Sequence, residues 1–200
     1  MNDPRFVSLS ELDENSLKQL ADLHRSVMHT LLSDLGLPIV LKYYQVARRD
    51  SSVLGICALT SSNEIIGWSV GSPDPAAINA KLRQPLTWFL AQILNVAVTR
   101  PLVFKQLISS VLSPSLETKS AAIELTYIGV AAGHQGKGLG QALLNRFIEQ
   151  SRSKGYHSVA LSVEAENKTA LALYEKSGFK IIGTFTEGRY QRHRMELTLV

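Results

Sequence analysis

Residues 128–140 read IGVAAGHQGKGLG, an apolar stretch that gives way to glycines at 133, 136, 138 and 140. Leu139, Leu143 and Phe147 then recur at helical spacing. A strand-to-helix turn of this kind can aim several backbone N–H groups, and the positive end of a helix dipole, at one anion. Lys137 would add a cation, and a phosphate is the natural guest. The glycines alone leave a second reading open, a turn that binds nothing. Two phosphate patterns fail letter by letter. A P-loop needs glycine five residues before the Gly136-Lys137 pair and serine or threonine after it, where this chain has Ala131 and Gly138. The dinucleotide fingerprint needs glycine or alanine three residues after its second glycine, where the two registers offer Gln141 and Leu143.

The elements that position this turn follow from periodicity. Residues 123–130 read as a strand, 138–154 as a helix, 157–163 as a strand, 168–177 as a helix, and 179–186 and 192–200 as two more strands. Upstream, residues 5–10 suit a first strand. Leu17, Leu20, Ala21, Val27, Met28 and Leu31 make one helix running to Gly36, and a second starts at Pro38. Residues 53–60 and 65–70 form a hairpin around the polar turn 61–64. Residues 73–120 break the alternation. Leu86, Phe89, Leu90, Ile93 and Leu94 predict one apolar helical face after Pro85, and Phe104, Leu107, Ile108, Val111 and Leu112 predict another after Pro101. Neither reaches the roughly 20 apolar residues of a membrane span. The expectation is one α/β domain over residues 1–200: a mixed central sheet flanked by helices, with a helical insertion at 73–120 between the third and fourth strands.

Composition agrees with one globular unit. Of 200 residues, 45% are hydrophobic and 19% charged, enough to fill a core, and no low-complexity segment marks a linker. The single cysteine, Cys57, has no thiol partner for a disulfide or a zinc site. The first fifteen residues lack the basic-then-apolar order of a signal peptide, so a reducing, cytoplasmic setting is expected. Net charge is +4, but the basic residues are scattered apart from Arg189, Arg192 and Arg194. That favours a small polyanionic ligand over nucleic acid.

Gln135, Gly136, Lys137, Gly138, Leu139 and Gly140 follow the pattern Gln/Arg-x-x-Gly-x-Gly/Ala. Asn167, Ala170, Leu173, Tyr174, Gly178 and Phe179 complete a second, Asn-x-x-Ala-x-x-Leu-Tyr-x-x-x-Gly-Phe. A chain carrying both in this order, a helix and a strand apart, resembles the GNAT superfamily of N-acetyltransferases. The resemblance covers residues 122–186; the first half matches as an element order only, and the insertion is longer than the family's link between its third and fourth strands.

This resemblance implies acetyl-CoA as co-substrate and a primary amine, on a small molecule or a protein, as acceptor. It assigns the pyrophosphate to residues 135–140 and the pantetheine arm to the backbone of Ile128, Gly129 and Val130, on a strand that splays from its neighbour. Asn167 is implied at the cofactor too, although an asparagine opening a helix is also a good N-cap. Transfer needs a group to take the ammonium proton and one to protonate the leaving thiolate. The resemblance points to Glu124 for the first, against an exposed strand residue, and to Tyr174 for the second, against a core tyrosine. Other residues have plainer explanations. His24 and His29 could line the acceptor site but suit packing or solvation, Cys57 suits burial, and Glu187, Arg189 and Tyr190 could touch the acceptor or form a solvated turn. Two alternatives stand beside the acetyltransferase: a CoA-binding module without catalysis, and an acyltransferase using a longer acyl-CoA. For the insertion, three roles are open: a roof over the acceptor end, a homodimer interface, or additional core.

Overall fold

The computed structural model of the protein describes residues 3–28, 30–99, 101, 122–187 and 190–199. Seven strands form one sheet: β1 (Arg5–Ser8), β2 (Leu54–Leu59), β3 (Ile65–Ser72), β4 (Ala122–Val130), β5 (Ser158–Glu164), β6 (Lys180–Glu187) and β7 (Tyr190–Thr198). Their order is β1-β2-β3-β4-β5-β7-β6, antiparallel except for the parallel pair β4–β5. Side-chain alternation sends each strand's residues to two cores. One holds Cys57 and Leu59 of β2 with Trp68 and Val70 of β3, beneath α1 (Glu14–Val27), α3 (Leu37–Arg49) and α4 (Pro75–Leu82). The other holds Leu54, Ile56, Ala58, Ile123 and Leu125 beneath α6 (Leu139–Ser153) and α7 (Lys168–Lys176). Between the cores β2 is buried along its whole length, so its apolar run reads as unbroken rather than alternating.

The first expected helix is two. α1 ends at Val27, and α2 (Leu31–Asp34) starts afresh because Met28 is extended and the Thr30 side chain accepts from the Ser33 N–H as an N-cap. The first strand stops at Ser8, which is still paired with β2 and caps a 3-10 turn at Leu9–Glu11 by reciprocal bonds with Ser10 and Glu11.

The insertion begins with α4, capped by Asp74, and α5 (Leu86–Thr99). Ile78 and Leu82 of α4 belong to the first core. On α5, Phe89 and Ile93 pack toward that core together with Trp88, and Val96 is buried, but Leu86, Leu90 and Leu94 are exposed with Val98 on another stripe. The single apolar face expected there is therefore split, since residues four apart stack on one line while Phe89 and Ile93 lie on the next. The second expected helix, with Phe104, Leu107, Ile108, Val111 and Leu112, lies outside the described residues, as do His29 and Arg189.

His24 is fully buried on α1, its Nδ1 2.7 Å from the Tyr44 hydroxyl and its ring edge-on to Tyr127. It is a packed core histidine. Burial disfavours its charged form and pushes the pKa down to about 4. Between that value and the unfolded value of about 6.5, only the unfolded chain binds the proton, so stability falls as pH drops through this window. We expect a loss on the order of 3 kcal/mol from pH 7 to pH 4 from this residue. Urea unfolding of His24→Gln over the same range should show that much less acid sensitivity.

Candidate active site

Strands β4 and β5 are paired only at their beginnings, from Ala122↔Ser158 to Glu124↔Ala160. Past Glu124 they part, and β5 continues to Glu164 held by β7 alone. Past Glu124 the β4 backbone thus keeps its ladder to β3 on one edge and has no ladder to β5 on the other, the side that faces the gap. A β-bulge marks the place of divergence: Val70 faces Tyr127 and Gly71 faces Leu125, so Thr126 is the extra residue. Gly71 is required there, because a Cβ on it would lie 2.3 Å from the Glu124 carbonyl oxygen. Gly129 also answers to packing. A Cβ at this position would meet the ring of fully buried Trp68 at 2.5 Å, which explains a glycine inside a strand without any ligand. Gly129→Ala should therefore destabilise the fold by about 1–3 kcal/mol in denaturant titration.

The far end of the gap is the glycine turn. Gly136 and Gly138 have φ of 73° and 81°, conformations that L side chains rarely adopt, and nothing lies within 4 Å of where either Cβ would be. Gly138 opens α6 with no side-chain cap, leaving the first-turn N–H groups of that helix without a side-chain acceptor. Gln135 Nε2 donates to the Val130 carbonyl at 2.9 Å and Lys137 Nζ to the Gly133 carbonyl at 2.8 Å, so both side chains brace the turn itself. Leu139 is buried in the second core and anchors the helix start, and Gly140 lies against Leu173 and Val130. Positive-φ glycines, an uncapped helix N-terminus and a strand edge without a partner strand fit a ligand with a phosphate-bearing head and an amide-containing arm.

Glu124 stands at the apex of the gap. Ile123 and Leu125 point into the second core, so Glu124 points to the other face. Ser162 and Arg194 share that face, since their neighbours Leu161, Val163 and Met195 are in the second core. There Arg194 donates to Glu124 Oε2 at 3.0 Å and to Ser162 Oγ at 3.2 Å, and Arg192 lies 3.8 Å from Glu164. From the sequence Arg194 is visible only as a member of the short basic cluster with Arg189 and Arg192. Its signal was the alternation Arg192, Arg194, Glu196 against His193, Met195, Leu197, which marks one polar and one packed face of β7.

Tyr174 lies on α7 in the second core, against Phe179, and is almost fully buried. Burial raises its phenol to about 12, so it stays protonated at physiological pH. It and Glu124 thus lie on opposite faces of the sheet. Asn167 caps α7, its Oδ1 accepting from Ala170 N–H at 3.1 Å. Cys57 is buried and its thiol is pushed up to about 12, which leaves it inert as a nucleophile. Glu187 ends β6 and Tyr190 begins β7, paired across their turn. Among the described residues no group of three or more His, Cys, Asp or Glu could hold a metal, and no helix is long and apolar enough to cross a membrane.

A seven-stranded mixed sheet opens between its one parallel pair, with a glycine turn at the mouth of the opening, and this defines the α/β class of the chain. The sequence model of the Acetyltransferase (GNAT) family matches residues 17–179, and the chain belongs to that family. The GNAT family uses acetyl-CoA. The chain is similar to the mycothiol acetyltransferase of Jonesia denitrificans, 28% identical over 145 residues that make up 72% of this chain and 46% of that protein. Another mycothiol acetyltransferase, from Beutenbergia cavernae, is 48% identical over 60 residues, 30% of this chain and 20% of that one. The chain spans less than half the length of these curated relatives. In fold it resembles the ribosomal-protein-S18-alanine N-acetyltransferase of Escherichia coli, with a TM-score of 0.61, 17% identity and coverage of 98% of this chain and 94% of that one.

Proposed function

We propose that the chain is an N-acetyltransferase that moves the acetyl group of acetyl-CoA directly onto a primary amine. The observation that carries this is the parting of β4 from β5 after Glu124, with the uncapped start of α6 at one end of the gap and ionisable groups at the other. In this reading the N–H groups of residues 136–140 hold the pyrophosphate, Lys137 turns from the Gly133 carbonyl to it, and Ile128 and Val130 bond the pantetheine amides. Acetyl-CoA supplies a thioester carbonyl activated for attack.

The remaining work falls to the chain. Glu124 takes a proton from the incoming ammonium, directly or through water, freeing the nitrogen lone pair. As the nitrogen–carbon bond forms and the carbon–sulfur bond breaks, β4 backbone N–H groups stabilise the negative oxygen. The bonding pair leaves on sulfur, and Tyr174 donates the proton that makes the free thiol. The second amine proton passes to solvent as the tetrahedral adduct collapses to the amide; solvent also accepts the proton from the glutamic acid and returns one to the tyrosine, so each turn releases one proton and charge balances. Acceptors would enter over the face bearing Glu124, Ser162, Glu164, Arg192 and Arg194. This polar strip suits a small amine with further polar groups.

Incubation with acetyl-CoA and a panel of L-amino acids, amino-acid amides, spermidine, glucosamine and a peptide with a free N-terminus tests this. A product heavier by one acetyl group together with stoichiometric thiol release is expected for at least one amine. Binding without thiol release would replace the proposal with a non-catalytic CoA module, and turnover confined to longer acyl-CoAs would replace the acetyl donor.

A further inference from the structure

We infer that Arg194 is a positioning residue for the reaction, holding Glu124 at the apex where the two strands part. This rests on the reading of Glu124 as the base. The strand ladder stops at Glu124↔Ala160, so no backbone bond from β5 ties β4 beyond that point. Arg194, on β7, reaches across the interval that the ladder leaves. Nη1 donates to Ser162 Oγ on β5 at 3.2 Å, and Nη2 donates to Glu124 Oε2 on β4 at 3.0 Å. The guanidinium is a rigid fork, so two bonds to two strands fix both its plane and the direction of the carboxylate it meets. The arginine side chain is 8% exposed and that of the glutamate 20%, so both members of the pair are largely withdrawn from solvent.

The geometry separates this role from a surface ion pair. An exposed pair contributes little and tolerates loss of either member, whereas a buried guanidinium deprived of its carboxylate is left uncompensated. A lysine in place of Arg194 would keep the charge but deliver it as one point rather than as a fork spanning Ser162 and Glu124. The arginine acts through Glu124, so its removal should cost turnover only while the carboxylate is there to be aimed.

The experiment is a double-mutant cycle on the full chain, with acetyl-CoA and whichever panel amine the wild type acetylates fastest. Arg194→Met is expected to lower kcat by at least about 30-fold, with the KM for acetyl-CoA within threefold of wild type. Arg194→Lys should recover part of the loss. In the Glu124→Gln background, adding Arg194→Met should lower kcat by less than twofold more. The double variant contains neither charge, so its thermal midpoint should exceed that of Glu124→Gln, which leaves the guanidinium unpaired. Should Arg194→Met fail to fold, Arg194→Lys alone and with Glu124→Gln completes the same cycle. Near-wild-type turnover in Arg194→Met, or losses that multiply fully in the double variant, would overturn the inference while a slow Glu124→Gln keeps the base reading. Wild-type turnover in Glu124→Gln would instead reject the base reading, and this inference with it.

Discussion

Gly138→Asp should abolish acetyl-CoA binding in calorimetry while the thermal midpoint stays close to that of the wild type. Two features make the effect large and local. Gly138 is the uncapped N-terminus of α6, so a carboxylate there would sit among the N–H groups proposed to receive the pyrophosphate, and like charges in contact cost several kcal/mol. Nothing lies within 4 Å of the new Cβ, so the side chain displaces no packing. The φ of 81° is a left-handed conformation that aspartate visits more readily than most residues, which limits the backbone penalty to about 1–2 kcal/mol. We expect affinity to drop by at least about 100-fold. Undiminished binding in a folded Gly138→Asp variant would remove the pyrophosphate from this turn.

Tyr174→Phe should lower kcat by about 100-fold or more, with acetyl-CoA affinity within threefold of wild type. The substitution keeps the ring that packs on Phe179 and fills the second core, so stability should change by no more than about 1 kcal/mol. Burial that raises the phenol to about 12 also keeps the proton in place across the working range. The wild-type rate should therefore show no alkaline decline from this group below about pH 10, and the variant's deficit should be constant from pH 6 to pH 9. A rate within threefold of wild type would leave Tyr174 as a packing residue alone.

The glycine turn was legible because its chemistry is local. Positive-φ glycines, a following amphipathic helix and the register of Leu139, Leu143 and Phe147 all lie within twenty residues, and the structure puts the turn and helix where that pattern implies. Asn167 was legible as a cap for the same reason. The split of the first helix at Thr30 was not, since apolar spacing from Leu17 to Leu31 continues through the break while a single side-chain cap decides it. On α5, apolar residues on every side hide which stripe faces the core, so Leu86, Leu90 and Leu94 read as one face with Phe89 and Ile93, yet they are exposed.

The sequence by itself determined the alternation of elements, the α/β class and the family, because each depends on spacing along the chain. Only the tertiary structure decided that Gly129 makes room for Trp68, that His24 is sealed against Tyr44 and Tyr127, and that Arg194 meets Glu124. Those contacts join residues 20 to 103 positions apart, and their existence depends on strand order. The β5-β7-β6 arrangement brings residue 194 beside residue 162 and thence to residue 124. Periodicity reports which face of its own element a residue occupies, and carries no information about which distant element covers that face.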